Sequence, residues 1–131
     1  IGVALALDKD ALTEKRRTWI DGLGALKSGD FQSAMTAAEA LAGNREEALR
    51  FIKWAESWYR DLLIYGMTSQ ADDLVNSDMR AQVEQQAAQM SVDRICAAMA
   101  NAVDAGVGVQ RNLNRRMLLE KFLFGVVGER R

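Results

Sequence analysis

Residues 44–65 read NREEALRFIKWAESWYRDLLIY and form the longest uninterrupted helical pattern in the chain. Asn44 is a residue type favoured at a helix N-cap, and Glu47 stands three positions later, where the carboxylate of a capping box belongs. Apolar side chains then recur at helical spacing: Ala48, Ile52, Ala55, Tyr59, Leu62 and Leu63. Three aromatic residues widen this apolar arc to about half of the helix circumference: Trp54, Trp58 and Tyr65. An arc of this width predicts a central helix that packs against more than one neighbour.

The composition favours helix along the whole chain. Its 131 residues are the size of one domain, and a composition with 49% hydrophobic and 27% charged residues excludes a disordered chain. The sequence has no proline, and alanine, leucine, methionine, glutamine and arginine are abundant. No segment shows the strict alternation or the β-branched enrichment of a strand. We therefore predict an all-α fold, a single bundle of about five helices.

The sequence on either side of the central helix gives two specific predictions. Residues 1–7 form a short apolar fragment that Asp8 ends, and Asp10 then caps a helix that runs to about residue 27. Later in the chain, Ser91 is expected to cap another helix. One face of that helix is predicted to be buried, and its residues are Val92, Ile95, Cys96, Met99, Val103 and Val107.

Most classes of catalytic site are excluded by the residue types present. Histidine is absent, so the chain has no Ser-His or Cys-His nucleophile pair and no histidine ligand for zinc or di-iron. A glycine-rich phosphate loop with its lysine is also missing from the sequence. We predict no catalytic, cofactor-binding or metal-binding residues.

Single cysteines and acidic clusters can carry chemistry, but here the pattern favours structural roles. Cys96 stands alone, which rules out an internal disulfide and suits a reducing cytoplasm, and we expect its thiol to be a buried apolar group. Asp72, Asp73 and Asp78 do not have the spacing of a calcium loop, so we interpret them as a solvated acidic stretch.

The charges and the hydropathy give no sign of nucleic-acid or membrane binding. The net charge is −1, and the basic runs at residues 15–17 and 115–116 stand among carboxylates, as solvated faces do. No apolar run approaches the roughly 20 residues that span a bilayer. A tetratricopeptide repeat fails on its period, because the Gly29-Asp30-Phe31 pattern does not recur about 34 residues later.

Three blocks of sequence together resemble the C-terminal domain of the delta-prime subunit of the bacterial DNA polymerase III clamp loader. The first is WYRDLL at residues 58–63, where that family has an Arg-Asp-Leu-Leu core. The second is VNSD at residues 75–78. The third is NLNRRMLLE at residues 112–120, which is similar to the family's Asn-x-Asn-x-x-Leu-x-Leu-Glu ending, although Met117 and Leu118 depart from it.

The resemblance implies a collar domain. In that family the carboxy-terminal helical domains join the subunits of a pentamer above their ATPase-like modules, and the complex loads the sliding clamp onto primed DNA. Residues 1–9 would be the tail of an AAA+ lid subdomain, and residues 10–131 would be the helical oligomerisation (collar) domain. Val3 falls where active relatives carry a nucleotide-sensing arginine, so the resemblance implies a non-catalytic domain within the DNA polymerase III holoenzyme, a DNA-directed DNA polymerase.

The same resemblance implies the partners, which are the delta and tau/gamma subunits contacted helix to helix. DNA would be reached only through the whole complex, in the cytoplasm and without a membrane. The candidate interface residues are large side chains at the edges of the apolar arcs: Trp54, Trp58, Tyr65 and Phe124. A core position in a two-layered bundle is the alternative for these residues. For the whole chain, the alternatives are the matching domain of the tau/gamma subunit and an unrelated helical adaptor or scaffold domain.

Overall fold

Helices dominate the computed structural model of the chain, which describes residues 2–26, 30–70 and 74–128. Among these residues there are six α-helices and one short 3-10 turn, and no strand. The helices are α1 (Gly2–Ala25), α2 (Phe31–Ala42), α3 (Arg45–Thr68), α4 (Arg80–Gln89), α5 (Val92–Gln110) and α6 (Arg115–Gly128), and the 3-10 turn is Ser77–Met79. The all-α prediction is confirmed for the described residues, with one helix more than expected.

The predicted central helix is α3, which packs against α2, α4 and α5. Its N-cap is Asn44, whose side chain accepts a hydrogen bond from the Glu47 backbone N–H at 3.1 Å. The Glu47 carboxylate contacts Lys15 and Arg50. The helix ends at Thr68, and the next residue, Ser69, takes a left-handed conformation with φ 58°. α3 therefore begins where the sequence predicts and continues three residues beyond Tyr65.

Aromatic rings from α1, α3 and α6 fill the core. Trp19 of α1 meets Phe51 edge to face, with ring centroids 5.7 Å apart. Trp54 stacks on Trp58 at 5.5 Å. Tyr59 and Phe122 of α6 also pack edge to face, at 6.1 Å. Offset and edge-to-face pairs of this kind stabilise a core beyond their buried area by about 0.5–1.5 kcal/mol each.

The first helix differs from its prediction. α1 is continuous from Gly2 to Ala25, so the predicted break at Asp8 and the N-cap at Asp10 are wrong. The preference against aspartate in a helix interior is only about 0.7 kcal/mol, which is too small to end a helix by itself. The predicted stop at residues 28–29 lies outside the described residues.

The buried face of α5 is also not the predicted one. Its buried positions are Ile95, Ala98, Ala102, Ala105, Gly108 and Val109. Of the six residues predicted to be buried, Ile95 is buried and Met99 is half-buried, whereas four are exposed: Val92, Cys96, Val103 and Val107. Small residues face inward because neighbouring helices come very close: a Cβ added to Gly108 would lie 2.8 Å from both methyl carbons of Leu118. The larger valine side chains on the other face of α5 would not allow the helices to come this close.

The Asn-x-Asn block connects α5 to α6. Asn112 takes the left-handed conformation with φ 60°, and its N–H donates to the Val109 carbonyl while the next N–H donates to the Gly108 carbonyl. This pair of bonds is the Schellman pattern that ends many helices. Two residues later, the Asn114 side chain accepts from the Met117 N–H at 3.1 Å, as an N-cap does. The block is therefore a helix stop followed by a helix start.

Candidate interaction surfaces

Two of the blocks singled out in the sequence meet in a buried polar cluster. Asp61 of α3 is 0% exposed, and its carboxylate accepts hydrogen bonds from the backbone N–H groups of Val75 (2.9 Å) and Asn76 (2.7 Å). The side-chain amide of Asn76, also buried, donates to the same carboxylate at 2.8 Å. A buried carboxylate is tolerated where several donors replace its water. Asp61 thus holds the segment before α4 against the central helix.

Arg16 of α1 joins this cluster from the other side. Its Nη1 donates to the Asn76 side-chain oxygen at 3.2 Å, and both Nη atoms contact the Asp78 carboxylate. The hydrogen bond from Arg16 lowers the pKa of Asp78 below its ordinary value. Asp78 is therefore paired within the chain, whereas Asp72 and Asp73 lie outside the described residues. Among the residues described, no group of His, Cys, Asp and Glu is arranged to hold a metal ion.

The basic runs are engaged with the chain's own groups. Arg115 donates from Nε to the Ala42 carbonyl at the end of α2, at 3.0 Å. Arg116 pairs with Glu120 at 3.2 Å and lies 3.9 Å from Glu39. Lys15 pairs with Glu47. These contacts connect α6 to α2 and α1 to α3. In addition, no helix in the described part of the chain is long and apolar enough to cross a membrane.

A polar pocket of about 310 Å³ opens where α1, α3, α4, α5 and α6 meet. Gln86, Gln89, Arg94 and the Tyr59 ring line it together with aliphatic side chains. Burial raises the pKa of the Tyr59 hydroxyl, which stays neutral. Arg94 donates to the Val126 carbonyl in the last turn of α6 at 3.4 Å, where a cation complements the helix dipole. The arginine has a structural role here.

The structure separates the four candidate interface residues. Trp54 is only 7% exposed and Trp58 is 0% exposed, so both rings lie in the domain's own core. They do not have the exposure that an interface role requires. The wide apolar arc of α3 meets several helices, which is the alternative reading of the same pattern. Among the described residues, the indole N–H of Trp54 finds no hydrogen-bond acceptor.

Tyr65 and Phe124 lie at the surface and in different places. Tyr65 is half-buried, and its hydroxyl donates to Glu84 of α4 at 3.2 Å. Phe124 is half-buried and packs edge to face against Phe31 of α2, with ring centroids 5.4 Å apart. Phe31 and Met35, one helical turn apart on α2, are exposed. Phe31, Met35 and Phe124 are called the α2/α6 patch below.

A second exposed apolar surface runs along α5. It consists of Val92, Cys96, Met99, Val103 and Val107, of which Met99 is half-buried and the others are exposed. These five residues are called the α5 stripe. The sequence pattern detected the stripe, but the prediction placed it in the core because hydrophobic periodicity does not say which of two apolar faces turns inward.

These features define a class of protein: an all-α bundle with a closed aromatic core, in which the polar side chains serve to connect helices. A family model described as DNA polymerase III, delta subunit, C terminal matches residues 10–127. The chain therefore belongs to this family of clamp-loader subunit domains. No curated protein matches the chain, and no solved structure does.

Proposed function

We propose that this chain is a non-catalytic assembly domain of a clamp-loader subunit, which joins the helical domains of other subunits in a collar. Family membership over residues 10–127 supports the clamp-loader assignment. The observation that carries the assembly role is the exposure of large apolar side chains on a bundle whose core is already closed. The α2/α6 patch and the α5 stripe lie on different helices, which suits contacts with two neighbouring subunits.

The position within the clamp loader is the finer part of the proposal. The blocks at residues 58–63, 75–78 and 112–120 favour delta-prime, through their resemblance to that subunit's C-terminal domain. The second candidate is the delta subunit itself, which the description of the matching family names. In either position the partners are the other clamp-loader subunits, with delta and tau/gamma as the partners of delta-prime. DNA is reached only through the assembled complex, in the cytoplasm.

Reconstitution with purified subunits tests the role and the position together. The chain is mixed with delta and tau/gamma, and in parallel with delta-prime and tau/gamma, and complexes are separated by size-exclusion chromatography. Assembly only in the first mixture supports the delta-prime position. Assembly only in the second mixture supports the delta position. In that case the chain should also displace delta from an intact clamp loader. Absence of a complex in both mixtures would overturn the assembly role.

The domain boundary after residue 9 belongs to the same proposal. The family match begins at residue 10, while α1 runs without interruption from Gly2 to Ala25. Residues 1–9 would then be the part of this helix that belongs to a preceding lid subdomain. Removal of residues 1–9 should leave the urea midpoint of the remaining domain nearly unchanged, and a large loss of stability would place these residues in the collar domain.

A further inference from the structure

The pocket where α1, α3, α4, α5 and α6 meet contains an arginine whose donors are mostly unused by the described residues. Arg94 is half-buried and lines this pocket. Its Nη2 donates to the Val126 carbonyl at 3.4 Å, a long bond that connects α5 to α6. Its Nε is buried and has no acceptor in the described part of the chain. Because a guanidinium has five N–H donors, one long bond satisfies only a small part of its capacity.

Arg16 and Arg116 show how arginines elsewhere in the bundle are satisfied. Both Nη atoms of Arg16 contact the Asp78 carboxylate, and Arg116 pairs with Glu120. Arg94 has no such ion pair with a residue that the structure describes. A charged donor that is shielded from water and left without an acceptor is unfavourable. The position of Arg94 therefore favours an anion that comes from outside the described residues.

Two neutral donors belong to the same pocket. Burial raises the pKa of the Tyr59 hydroxyl, and the charge of Arg94 lowers it to a smaller extent, so the hydroxyl stays protonated and can donate. It forms no hydrogen bond within the described ranges, and neither does the Gln89 side chain. Gln86 differs, because both ends of its amide are already bonded. The hydroxyl of Tyr59 and the amide of Gln89 are thus available to a bound group.

The lining of the pocket narrows the class of anion. No acidic residue is among the described residues that line it, and Leu26, Met90 and Val126 give it aliphatic walls. Its volume of about 310 Å³ suits a small ligand or one inserted side chain. The planar guanidinium matches a carboxylate through two parallel bonds. The last turns of α1, α4 and α6 border the pocket and offset part of the positive charge, which favours a single negative charge over a phosphate dianion.

We propose that this pocket binds a carboxylate group on an aliphatic stem, with the Arg94 guanidinium as the charged donor and Tyr59 and Gln89 as neutral donors. The stem lies against the aliphatic walls. A free aliphatic acid and a glutamate side chain of another clamp-loader subunit have this same chemistry, and assembly measurements distinguish the two sources. The site does not depend on the proposed assembly role, so either can fail while the other stands.

Binding is tested on the free chain with hexanoate, its neutral amide hexanamide, and inorganic phosphate. The Arg94 Nε–H resonance is followed by NMR. Hexanoate should shift it in a saturable manner, whereas hexanamide should not and phosphate should bind more weakly. An unmoved Arg94 resonance, or tighter binding of phosphate than of hexanoate, would contradict the proposal.

Substitutions assign the binding to the named donors. Arg94→Gln should weaken hexanoate binding more than tenfold, and Arg94→Lys, which keeps the charge without the planar fork, should weaken it less. Tyr59→Phe should also reduce the affinity. The matched control is Arg60→Gln, at an exposed arginine of α3 outside the pocket, which should bind hexanoate as the parent chain does. Melting temperatures confirm that each variant is folded. Equal affinities of Arg94→Gln and Arg60→Gln would overturn the assignment.

Assembly with the other clamp-loader subunits identifies the source of the carboxylate. If a neighbouring subunit supplies it, hexanoate should compete with assembly, and Arg94→Gln should weaken assembly while Arg60→Gln does not. If the ligand is a free acid, assembly should be insensitive to hexanoate and to both substitutions. If no complex forms, the assembly role fails, and hexanoate binding by the free chain still decides the pocket.

A carboxylate of the chain itself is the remaining competitor. Glu129 is the first acidic residue in the sequence after α6. The parent chain and Glu129→Gln should bind hexanoate with the same affinity. A gain of more than tenfold in Glu129→Gln would show that this side chain occupies the Arg94 site, and would overturn the proposal.

Discussion

The Asp61 carboxylate accepts two hydrogen bonds from Asn76, one from the Asn76 backbone N–H at 2.7 Å and one from the Asn76 side-chain amide at 2.8 Å, and both residues are buried. The two residues belong to separate sequence blocks, at positions 58–63 and 75–78. Their contact gives a physical reason for the two blocks. The central helix carries the carboxylate that anchors the far end of the loop that follows this helix. The cluster positions α4 and contributes no chemistry of its own.

Asp61→Ala should therefore lower the free energy of unfolding by about 3 kcal/mol, because it removes the common acceptor of three donors, of which the two on Asn76 are buried. Urea denaturation followed by circular dichroism measures the change. Arg60→Ala, at the exposed neighbour in the same helix, is the control and should stay within about 0.5 kcal/mol of the parent chain. Equal stability of the two variants would mean that water replaces the carboxylate without cost.

The ion pair between Arg16 and Asp78 predicts a small loss of stability in acid. The pKa of Asp78 is lowered in the folded chain, so the pair stabilises the fold above the ordinary aspartate pKa of 3.8 and loses this effect as the pH falls below it. Because Asp78 is largely exposed, the contribution is below about 1 kcal/mol. The difference in unfolding free energy between the parent chain and Asp78→Asn should be constant from neutral pH to about pH 4.5 and should shrink below pH 3.8. A difference that does not depend on pH would contradict the pairing.

Asn112 should be replaceable only by a residue that accepts a left-handed backbone. Asn112→Gly should leave stability nearly unchanged, since glycine adopts a positive φ without strain. Asn112→Val should cost about 1–2 kcal/mol, the steric penalty of a side chain in this conformation. Thermal unfolding of the two variants gives the comparison. A valine variant as stable as the glycine variant would show that the link between α5 and α6 rearranges freely.

The sequence was sufficient for the features set by local chemistry. Asn44 and Ser91 cap their helices as predicted, because a cap depends on a few adjacent residues. The inward face of the central helix was also predictable, since Ala48, Ile52 and Tyr59 share its only apolar side. Family membership agrees with the resemblance at the level of the clamp-loader subunits.

Features that depend on tertiary packing could not be predicted. α5 has two apolar faces, one rich in valine and one rich in alanine, and periodicity gives both of them the same signal. The alanine face is buried because α3 and α6 approach closely at Gly106 and Gly108. The exposure of Cys96 follows from this choice of face. Asp61 could not be assigned to the core, because its acceptor role depends on donors that lie about 15 residues later in the chain.

Gly108 and Leu118 should be coupled in their effects on stability. Gly108→Ala gains about 1 kcal/mol of helix propensity, but its new Cβ would overlap the Leu118 methyl groups at a cost of about 1–3 kcal/mol, so the variant should be destabilised by about 1 kcal/mol. In a Leu118→Ala background the same change should become stabilising. Gly22→Ala, which has open space around its Cβ position, should stabilise the chain by about 1 kcal/mol in either background. A Gly108→Ala effect of the same sign in both backgrounds would contradict the close approach.

Trp54 and Phe124, both predicted at an interface, should respond to substitution in different ways. Trp54 stacks on Trp58 within the core, so Trp54→Ala should destabilise the fold by about 3–5 kcal/mol. Trp54→Phe should cost much less, since it keeps an aromatic ring and removes an indole N–H that has no acceptor in the part of the chain that the structure describes. Phe124 is half-buried beside the exposed ring of Phe31, and Phe124→Ala should cost only about 1 kcal/mol of stability.

Assembly with the other clamp-loader subunits should show the reverse order. If the α2/α6 patch contacts a neighbour, Phe124→Ala should weaken assembly more than tenfold, about 1.4 kcal/mol, and Phe31→Ala should act similarly. Trp54→Phe should leave assembly unchanged, because its ring does not reach the surface. Assembly constants and urea midpoints measured on the same preparations separate the two effects. A Phe124→Ala chain that assembles normally would leave the α5 stripe as the surface that joins this domain to its partners.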